Sequence, residues 1–381
     1  MTLEKGETMS ELKSVLYAAA RLRREKQPFL LATVVAVRGS AYRRPGARMI
    51  VTEQGARAGS VSGGCLEADI AKRGFWQTRE GGPVVVRYDA SADDDTRARL
   101  GVGCDGIVDV LLERPDAASL ADPLELLRTT QELQRRGAMV TVIESARKDI
   151  PVGARVCVVE GLPARSSLAN AAFAEALETR AQAALARGTT ESCTYDTTSG
   201  PVTVLAEIVL PFPRLFALGT GHDVNPVMEI AHVLGWDVIV HDTQARLAVR
   251  ERFLGADQFL IGTLEEVKTE VNRSHRALAL VMAHDYERDR AAVKMLLASR
   301  AGYIGVLGAR RRTDRILHAI CAGATPYDKR LHAPVGLELG AESPREIALS
   351  IIAEAQASLT RASGRALREL PGPIHAEARG A

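Results

Sequence analysis

Leu215-Phe216-Ala217-Leu218-Gly219-Thr220-Gly221-His222-Asp223-Val224-Asn225-Pro226 joins an apolar run, a glycine turn and a helix opening. Gly219 permits the tight turn, and Gly221 lets backbone amides approach a diphosphate at the positive end of a helix that Gly235 would stop. Asp242 closes the next apolar run about 20 residues later, where an acidic side chain can bind a ribose hydroxyl. Val224 stands where a dinucleotide fingerprint has its third glycine. The stretch therefore suits either a dinucleotide-like site or a Rossmann turn that is purely structural.

Outward from this turn, strand and helix patterns alternate. Strands are expected at 237–241, 277–282 and 303–307, with helices ending at Leu234, Ser299 and Ala322. A last helix runs from Pro344 to about Leu359, with Ser343 as cap, proline in the first turn and Glu346 completing a capping box. Such alternation implies a doubly wound parallel sheet. Upstream, neither proline of Pro211-Phe212-Pro213 can continue a central strand or a helix interior, which marks a linker. The expected organisation is an N-terminal α+β domain over 1–210, a Rossmann-like domain over 211–362, and a loose tail rich in Gly, Pro, Ala and Arg over 363–381. At roughly 150 residues per domain, 381 residues fit this division.

In the N-terminal region, strand candidates at 30–37, 49–52, 84–88, 107–112, 140–143, 155–159 and 202–209 are mixed with helical spacing at 11–25, 66–78, 123–136 and 168–187. Thr33-Val34-Val35 followed by Gly46-Ala47-Arg48-Met49-Ile50-Val51 returns as Thr141-Val142-Ile143 followed by Gly153-Ala154-Arg155-Val156-Cys157-Val158, offset by about 107 residues. The echo points to two related halves, against chance similarity in a chain rich in Ala, Val and Arg. Where the first copy continues with Ser60-Val61-Ser62-Gly63-Gly64-Cys65, the second has Ser166-Ser167-Leu168-Ala169, so a site belongs to the first copy.

Forty-nine Lys and Arg against 47 Asp and Glu leave a formal charge of +2, too balanced for the extended positive field that nucleic acid or anionic membrane requires. No apolar run approaches the ~18 residues of a membrane span, and the polar N-terminus lacks a signal peptide's apolar stretch. A cytoplasmic location is expected. Five cysteines, never spaced C-x-x-C, imply neither a disulfide framework nor a zinc ribbon.

Two of those cysteines lie among glycines. Cys65 opens a helix behind Gly63-Gly64, where unpaired amides would favour a thiolate and let a ligand come close. Cys104 lies in Gly101-Val102-Gly103-Cys104-Asp105-Gly106, a second loop opening onto a strand. The alternative for both is a small buried residue between glycine turns. In the second domain, Ala283-His284-Asp285 follows an apolar strand at the edge where doubly wound sheets place ligands. His284 is either a proton-handling group there or a solvated loop histidine. Gly308-Ala309-Arg310-Arg311-Arg312 repeats the strand, glycine and helix opening, and its arginines diverge by about 100° each, so only one or two can face a pocket.

Taken in order, these segments resemble the xanthine dehydrogenase accessory family called XdhC or CoxI. The resemblance runs through Arg38-Gly39-Ser40-Ala41, Pro45-Gly46-Ala47-Arg48-Met49 and Gly59-Ser60-Val61-Ser62-Gly63-Gly64-Cys65. It continues with Gly219-Thr220-Gly221-His222-Asp223, Ala283-His284-Asp285, Tyr303-Ile304-Gly305-Val306-Leu307-Gly308 and Pro334-Val335-Gly336-Leu337-Glu338-Leu339-Gly340-Ala341-Glu342-Ser343-Pro344. Two positions depart from the family pattern: Asp105 stands for a glycine and Ala309 for a serine.

The resemblance implies a chaperone that binds molybdenum cofactor, as molybdopterin or its dinucleotide form, protects it during sulfuration and inserts it into a xanthine dehydrogenase-type enzyme. It implies cofactor-binding roles for Ser62, Gly63, Gly64, Cys65, Cys104, Gly219, Gly221, His222, Asp242, His284, Asp285, Gly308 and Arg310, with Cys65 as the soft metal ligand. The partners it implies are an apo-molybdoenzyme, a cysteine desulfurase and a second copy of the chain in a homodimer. The rival reading is an NAD(P)-dependent oxidoreductase, which the glycine turn and Asp242 alone would support and for which only His284 offers proton transfer. A weaker third is a thiol redox or metal-handling protein using Cys65.

Overall fold

The computed structural model describes residues 11–39, 42–89, 106–243, 249, 251–320 and 328–371, with the backbone alone at Cys65. They divide into two compact units, one of Glu11–Leu210 and one from Pro211 onward. Of the expected tail, 363–371 carry a 3-10 turn at Leu367–Glu369, and 372–381 lie outside the described residues.

The first unit is built twice. Its first half runs α1 (Glu11–Arg24), β1 (Phe29–Arg38), β2 (Arg48–Thr52), β3 (Arg57–Gly59), α2 (Cys65–Gln77), β4 (Val84–Asp89) and β5 (Ile107–Glu113). The second runs α3 (Pro123–Leu133), β6 (Gly137–Ser145), β7 (Arg155–Val159), β8 (Arg165–Ser166), α4 (Ala171–Arg187), β9 (Glu191–Thr197) and β10 (Gly200–Val209). Each half folds into a five-stranded antiparallel sheet, in the orders β3-β2-β1-β5-β4 and β8-β7-β6-β10-β9. The registers coincide as well: Leu31 faces Ile50 and Glu113, and Met139 faces Cys157 and Glu207. Even the irregularity repeats, since Val34 bonds both Ala47 and Gly46 through its backbone, and Val142 does the same with Ala154 and Gly153. The echo at Thr33 and Thr141 is thus a structural duplication.

Packing follows from spacing. Val15, Ala18, Ala19 and Leu22 form one stripe of α1 at helical period, and Leu124 and Leu127 do so on α3. Together with Leu31, Ile50, Met139 and Cys157 they make one core shared by both halves. On the opposite face of the first sheet, Leu66 and Ile70 of α2 cover Val34, Met49 and Val110. On the second, Leu177, Ala181 and Leu185 of α4 cover Val140, Val156 and Val204. Two buried ion pairs cross between halves reciprocally. Arg48 Nη1 and Nη2 donate to Glu207 at 2.7 and 2.6 Å, and Arg155 Nη2 donates to Glu113 at 2.5 Å. Each arginine also holds the glycine two residues before it, Gly46 or Gly153, by its carbonyl.

The second unit is a six-stranded sheet of β11 (Arg214–Leu218), β12 (Asp237–Asp242), β13 (Gln258–Ile261), β14 (Ala277–Val281), β15 (Tyr303–Val306) and β16 (Leu331–His332), in the order β13-β12-β11-β14-β15-β16. All neighbours are parallel. Its central strands are apolar throughout because helices cover both faces. α5 (Val224–Val233) and α9 (Pro344–Thr360) pack on Leu215, Ala217 and Val240. α6 (Leu264–Arg273), α7 (Tyr286–Leu297) and α8 (Arg310–Ile320) pack on Phe216, Ile239, Ala279 and Val281. The Ser343 cap forms as read, with Glu346 accepting from the Ser343 amide at 2.7 Å. Because β11 is followed by β12 on one side and has β14 on the other, the order in which strands are added reverses beside the Gly219 turn. That reversal places a crevice at the carboxyl edge.

Candidate functional site

At that edge, Gly219 has φ +146°, and a Cβ there would overlap the Met282 carbonyl oxygen and stand 2.8 Å from the Ala283 nitrogen. Only glycine lets the turn after β11 pass the end of β14. The turn then meets His284, whose Nε2 donates to Asp223 Oδ2 at 2.8 Å. His284 holds φ +60°, a left-handed backbone that is uncommon outside glycine. Two acidic residues enforce this bend. Asp285 caps α7 by accepting from the Arg288 amide at 2.9 Å. Asp289, fully buried, accepts from the Ala283 amide at 3.1 Å and from Arg312 Nη2 at 2.5 Å. His222 is exposed and accepts at Nε2 from Arg252 at 3.2 Å, which leaves its ring proton on Nδ1.

Asp242 ends β12 with its carboxylate engaged on both oxygens. Oδ2 accepts from Thr220 Oγ1 at 2.9 Å, and Oδ1 pairs with Arg288, which also donates to Thr243 Oγ1 at 2.6 Å. The neighbouring His241 is buried, and loss of hydration lowers its pKa despite the bond from Nε2 to the Gly262 carbonyl, so it is neutral near pH 7. Beside these groups opens a cavity of about 330 Å3, walled by Leu218, Leu264, Ala283, Ala291 and Ala292 with Arg288 at its rim. Gly308, at φ +143°, repeats the strand-to-helix turn at the end of β15. Its arginines diverge as helix geometry requires: Arg310 and Arg311 are exposed, and Arg312 turns inward to Asp289.

In the first unit, the loop Ser60–Gly64 wraps a buried carboxylate. Glu67 accepts from Ser60 Oγ at 2.8 Å, from the Val61 amide at 3.1 Å, from the Ser62 amide at 2.7 Å, from the Ser62 hydroxyl, and from the Gly64 amide at 3.1 Å. Burial pushes its pKa up, yet the hydrogen bonds from Ser62 and Ser60 prevail and hold it below the ordinary carboxylate value. Several amides that the sequence offers to a ligand are therefore taken by the chain's own Glu67. Gly64 precedes α2 at φ +120°, and Cys65 is the first residue of that helix. The Cys65 side chain, Cys104 and Asp105 lie outside the described residues. Among the described residues no three His, Cys, Asp or Glu side chains gather as a metal would need.

Glu67, Asp289 and Arg288 are not singled out by the sequence reading, and Asp223 and Arg312 enter it only as members of longer motifs. A signal exists for Asp289, since a carboxylate that repeats four residues after the Asp285 cap falls on the same helix face.

Two family models match the chain: the XdhC and CoxI family over residues 22–89 and the XdhC Rossmann domain over residues 215–355. A Bacillus subtilis protein named as a probable subunit of xanthine dehydrogenase is 31% identical over 334 residues, covering 87% of this chain and 93% of its own. The chain belongs to the XdhC and CoxI family. At greater distance, the Escherichia coli protein named molybdenum cofactor insertion chaperone PaoD is 23% identical over 85% of this chain and 81% of its own. A crystal structure described as a xanthine dehydrogenase from Bacillus halodurans superposes with a TM-score of 0.73 at 26% identity, covering 95% of this chain and 98% of that one. The XdhC and CoxI match includes the Ser60–Gly64 loop with Glu67, and the Rossmann match includes every residue described above at the carboxyl edge of the parallel sheet.

Proposed function

We propose that this XdhC-family chain binds molybdenum cofactor, protects it while a cysteine desulfurase supplies its terminal sulfur, and delivers it to an apo-molybdoenzyme of the xanthine dehydrogenase type. The observation that carries this reading is the family relationship, which reaches both units and includes a relative named as a molybdenum cofactor insertion chaperone. The residues suit that cargo. Cys65 at the head of α2 is a soft ligand of the kind that molybdenum with sulfur ligands accepts. The turn from Gly219 to Gly221, with His222, His284, Gly308 and Arg310 around the same edge, suits a phosphate or diphosphate, while Asp285 holds the bend that carries His284. Ser62, Gly63 and Gly64 shape the loop before Cys65, and Cys104 belongs to the second glycine-rich loop. A homodimer acting in the cytoplasm is part of the proposal.

Retention of molybdenum after gel filtration tests it. The parent should keep the metal, and Cys65→Ala should lose most of it while circular dichroism shows an intact fold. Equal molybdenum at equal protein would remove Cys65 as ligand, and no molybdenum on the parent would remove the chaperone reading itself.

One observation favours a second reading: the His284–Asp223 pair stands at the switch point, where a proton donor for an NAD(P)-dependent oxidoreductase would be. The expected result is no oxidation of NADH or NADPH by small carbonyl compounds. Substrate-dependent oxidation that His284→Ala abolishes would replace the chaperone with an enzyme.

A further inference from the structure

In a dinucleotide fold, an acidic residue at the end of the second strand accepts hydrogen bonds from the ribose hydroxyls, and an arginine nearby accommodates a 2′-phosphate instead. This sheet has both groups, and they are bonded to each other. Asp242 occupies the acidic position, but Thr220 takes one oxygen and the Arg288 guanidinium takes the other. A ribose that displaced Arg288 would exchange an ion pair for hydrogen bonds from uncharged hydroxyls and leave the guanidinium without its carboxylate. Arg288 is anchored on its inner side by Asp242 and Thr243, and its side chain is 46% exposed toward solvent. Its Nε and Nη1 make no hydrogen bond among the described residues. These two groups lie on different edges of the guanidinium plane, so each offers a separate charge-assisted donor, held in place before any ligand arrives.

The adjoining cavity supplies the second half of a site. Its volume of about 330 Å3 falls at the lower end of the range for small-ligand pockets. Its walls are mostly leucine and alanine side chains, from β11, α6, α7 and the turn before α7, joined by His241 and Thr243 at the end of β12, and they suit a flat heteroaromatic ring. Arg288 stands where it can cover the face of such a ring or meet a phosphate attached beside it. Glu287 also reaches the rim, with its charge paired to Arg290.

We propose that this edge selects a nucleotide by phosphate: a heteroaromatic base enters the apolar cavity, and a phosphate monoester on the adjoining sugar binds Arg288, while a sugar with free hydroxyls finds Asp242 closed. The inference rests on reading the edge as a ligand site, and it names the chemistry that this site prefers without depending on molybdenum.

Calorimetric titration of the full-length protein with NADP and NAD, and with adenosine 2′,5′-bisphosphate and ADP, tests it. The 2′-phosphorylated member of each pair should bind at least roughly tenfold more tightly. Arg288→Gln should abolish that preference, and because it removes the guanidinium from Asp242 it should raise affinity for NAD. Arg288→Lys, which keeps the charge but not the planar guanidinium, should retain part of the preference and serves if the glutamine variant does not fold. Equal affinities within each pair, tighter binding of NAD, or no binding of any of the four overturns the proposal. Molybdenum retained by the same preparation reports on the chaperone reading separately.

Discussion

His284 donates from Nε2 to Asp223 Oδ2 at 2.8 Å while its own backbone stands at φ +60°. A left-handed conformation costs an L-residue about 1–2 kcal/mol, so the bend is held by its surroundings rather than chosen by the histidine. Asp289 holds the amide before it and Asp285 caps the helix after it. Glycine would remove the strain, whereas alanine would keep the strain and lose the hydrogen bond. His284→Gly should therefore be more stable to urea than His284→Ala by about 1 kcal/mol, the reverse of the usual order in a loop. The two should be alike in losing cofactor retention.

The two glycines of the turn should respond differently. At Gly219 a Cβ collides with backbone of the neighbouring strand, so Gly219→Ala should destabilise the parallel-sheet unit by about 3 kcal/mol or more in a denaturant melt. At Gly221 it collides with Asp223 Oδ1, the end of a side chain that can swing away. Gly221→Val should leave the unit folded but move Asp223 off His284 and weaken phosphate binding about tenfold, or about 1.4 kcal/mol.

Glu67 gives the first unit an acid-sensitive loop. Its carboxyl is held below the ordinary 4.5, so the charged form is favoured by folding. The stability this contributes is complete above the unfolded value and is lost as pH falls through the lower folded value. Thermal melts should show the parent losing stability below about pH 4.5, with a shallower loss in Glu67→Gln, which should also melt lower at neutral pH.

The buried pairs between the halves should behave as uncompensated charges when split. Arg48→Met alone leaves Glu207 buried without its partner and should cost about 3–5 kcal/mol. Adding Glu207→Leu should recover most of that loss. Arg155→Met, alone and with Glu113→Leu, should repeat the result, since that pair is equally buried. Urea denaturation of these four variants together with Glu207→Leu and Glu113→Leu alone closes both cycles and measures the coupling.

The parallel sheet is readable because β11, β14 and β15 are unbroken apolar runs ending in polar or glycine turns. β13 escapes the sequence reading: Gln258–Ile261 is short and only half-buried, so no periodicity marks it. The helix after it carries a readable signal in Thr263 and Glu266, a capping box that the structure forms. β9 escapes for another reason, since Glu191–Thr197 alternates between half-buried and exposed at an edge and carries little apolar content. Glycine turns at the candidate site are legible because their conformational need is local. The carboxylates that organise them are not, because Asp223 meets His284 across 61 residues and Asp242 meets Arg288 across 46. Such pairings arise from the sheet order and leave no mark in local spacing.

The duplication in the first unit has a consequence for how that unit survives dilution. Its two halves meet through a shared core and reciprocal ion pairs, the kind of contact that would hold two separate chains together. One covalent connection converts that association into an intramolecular event, with each half facing the other at an effective concentration of about millimolar. The joint therefore stays formed however scarce the protein is, and the loop that ends in Cys65 keeps its support in a single molecule.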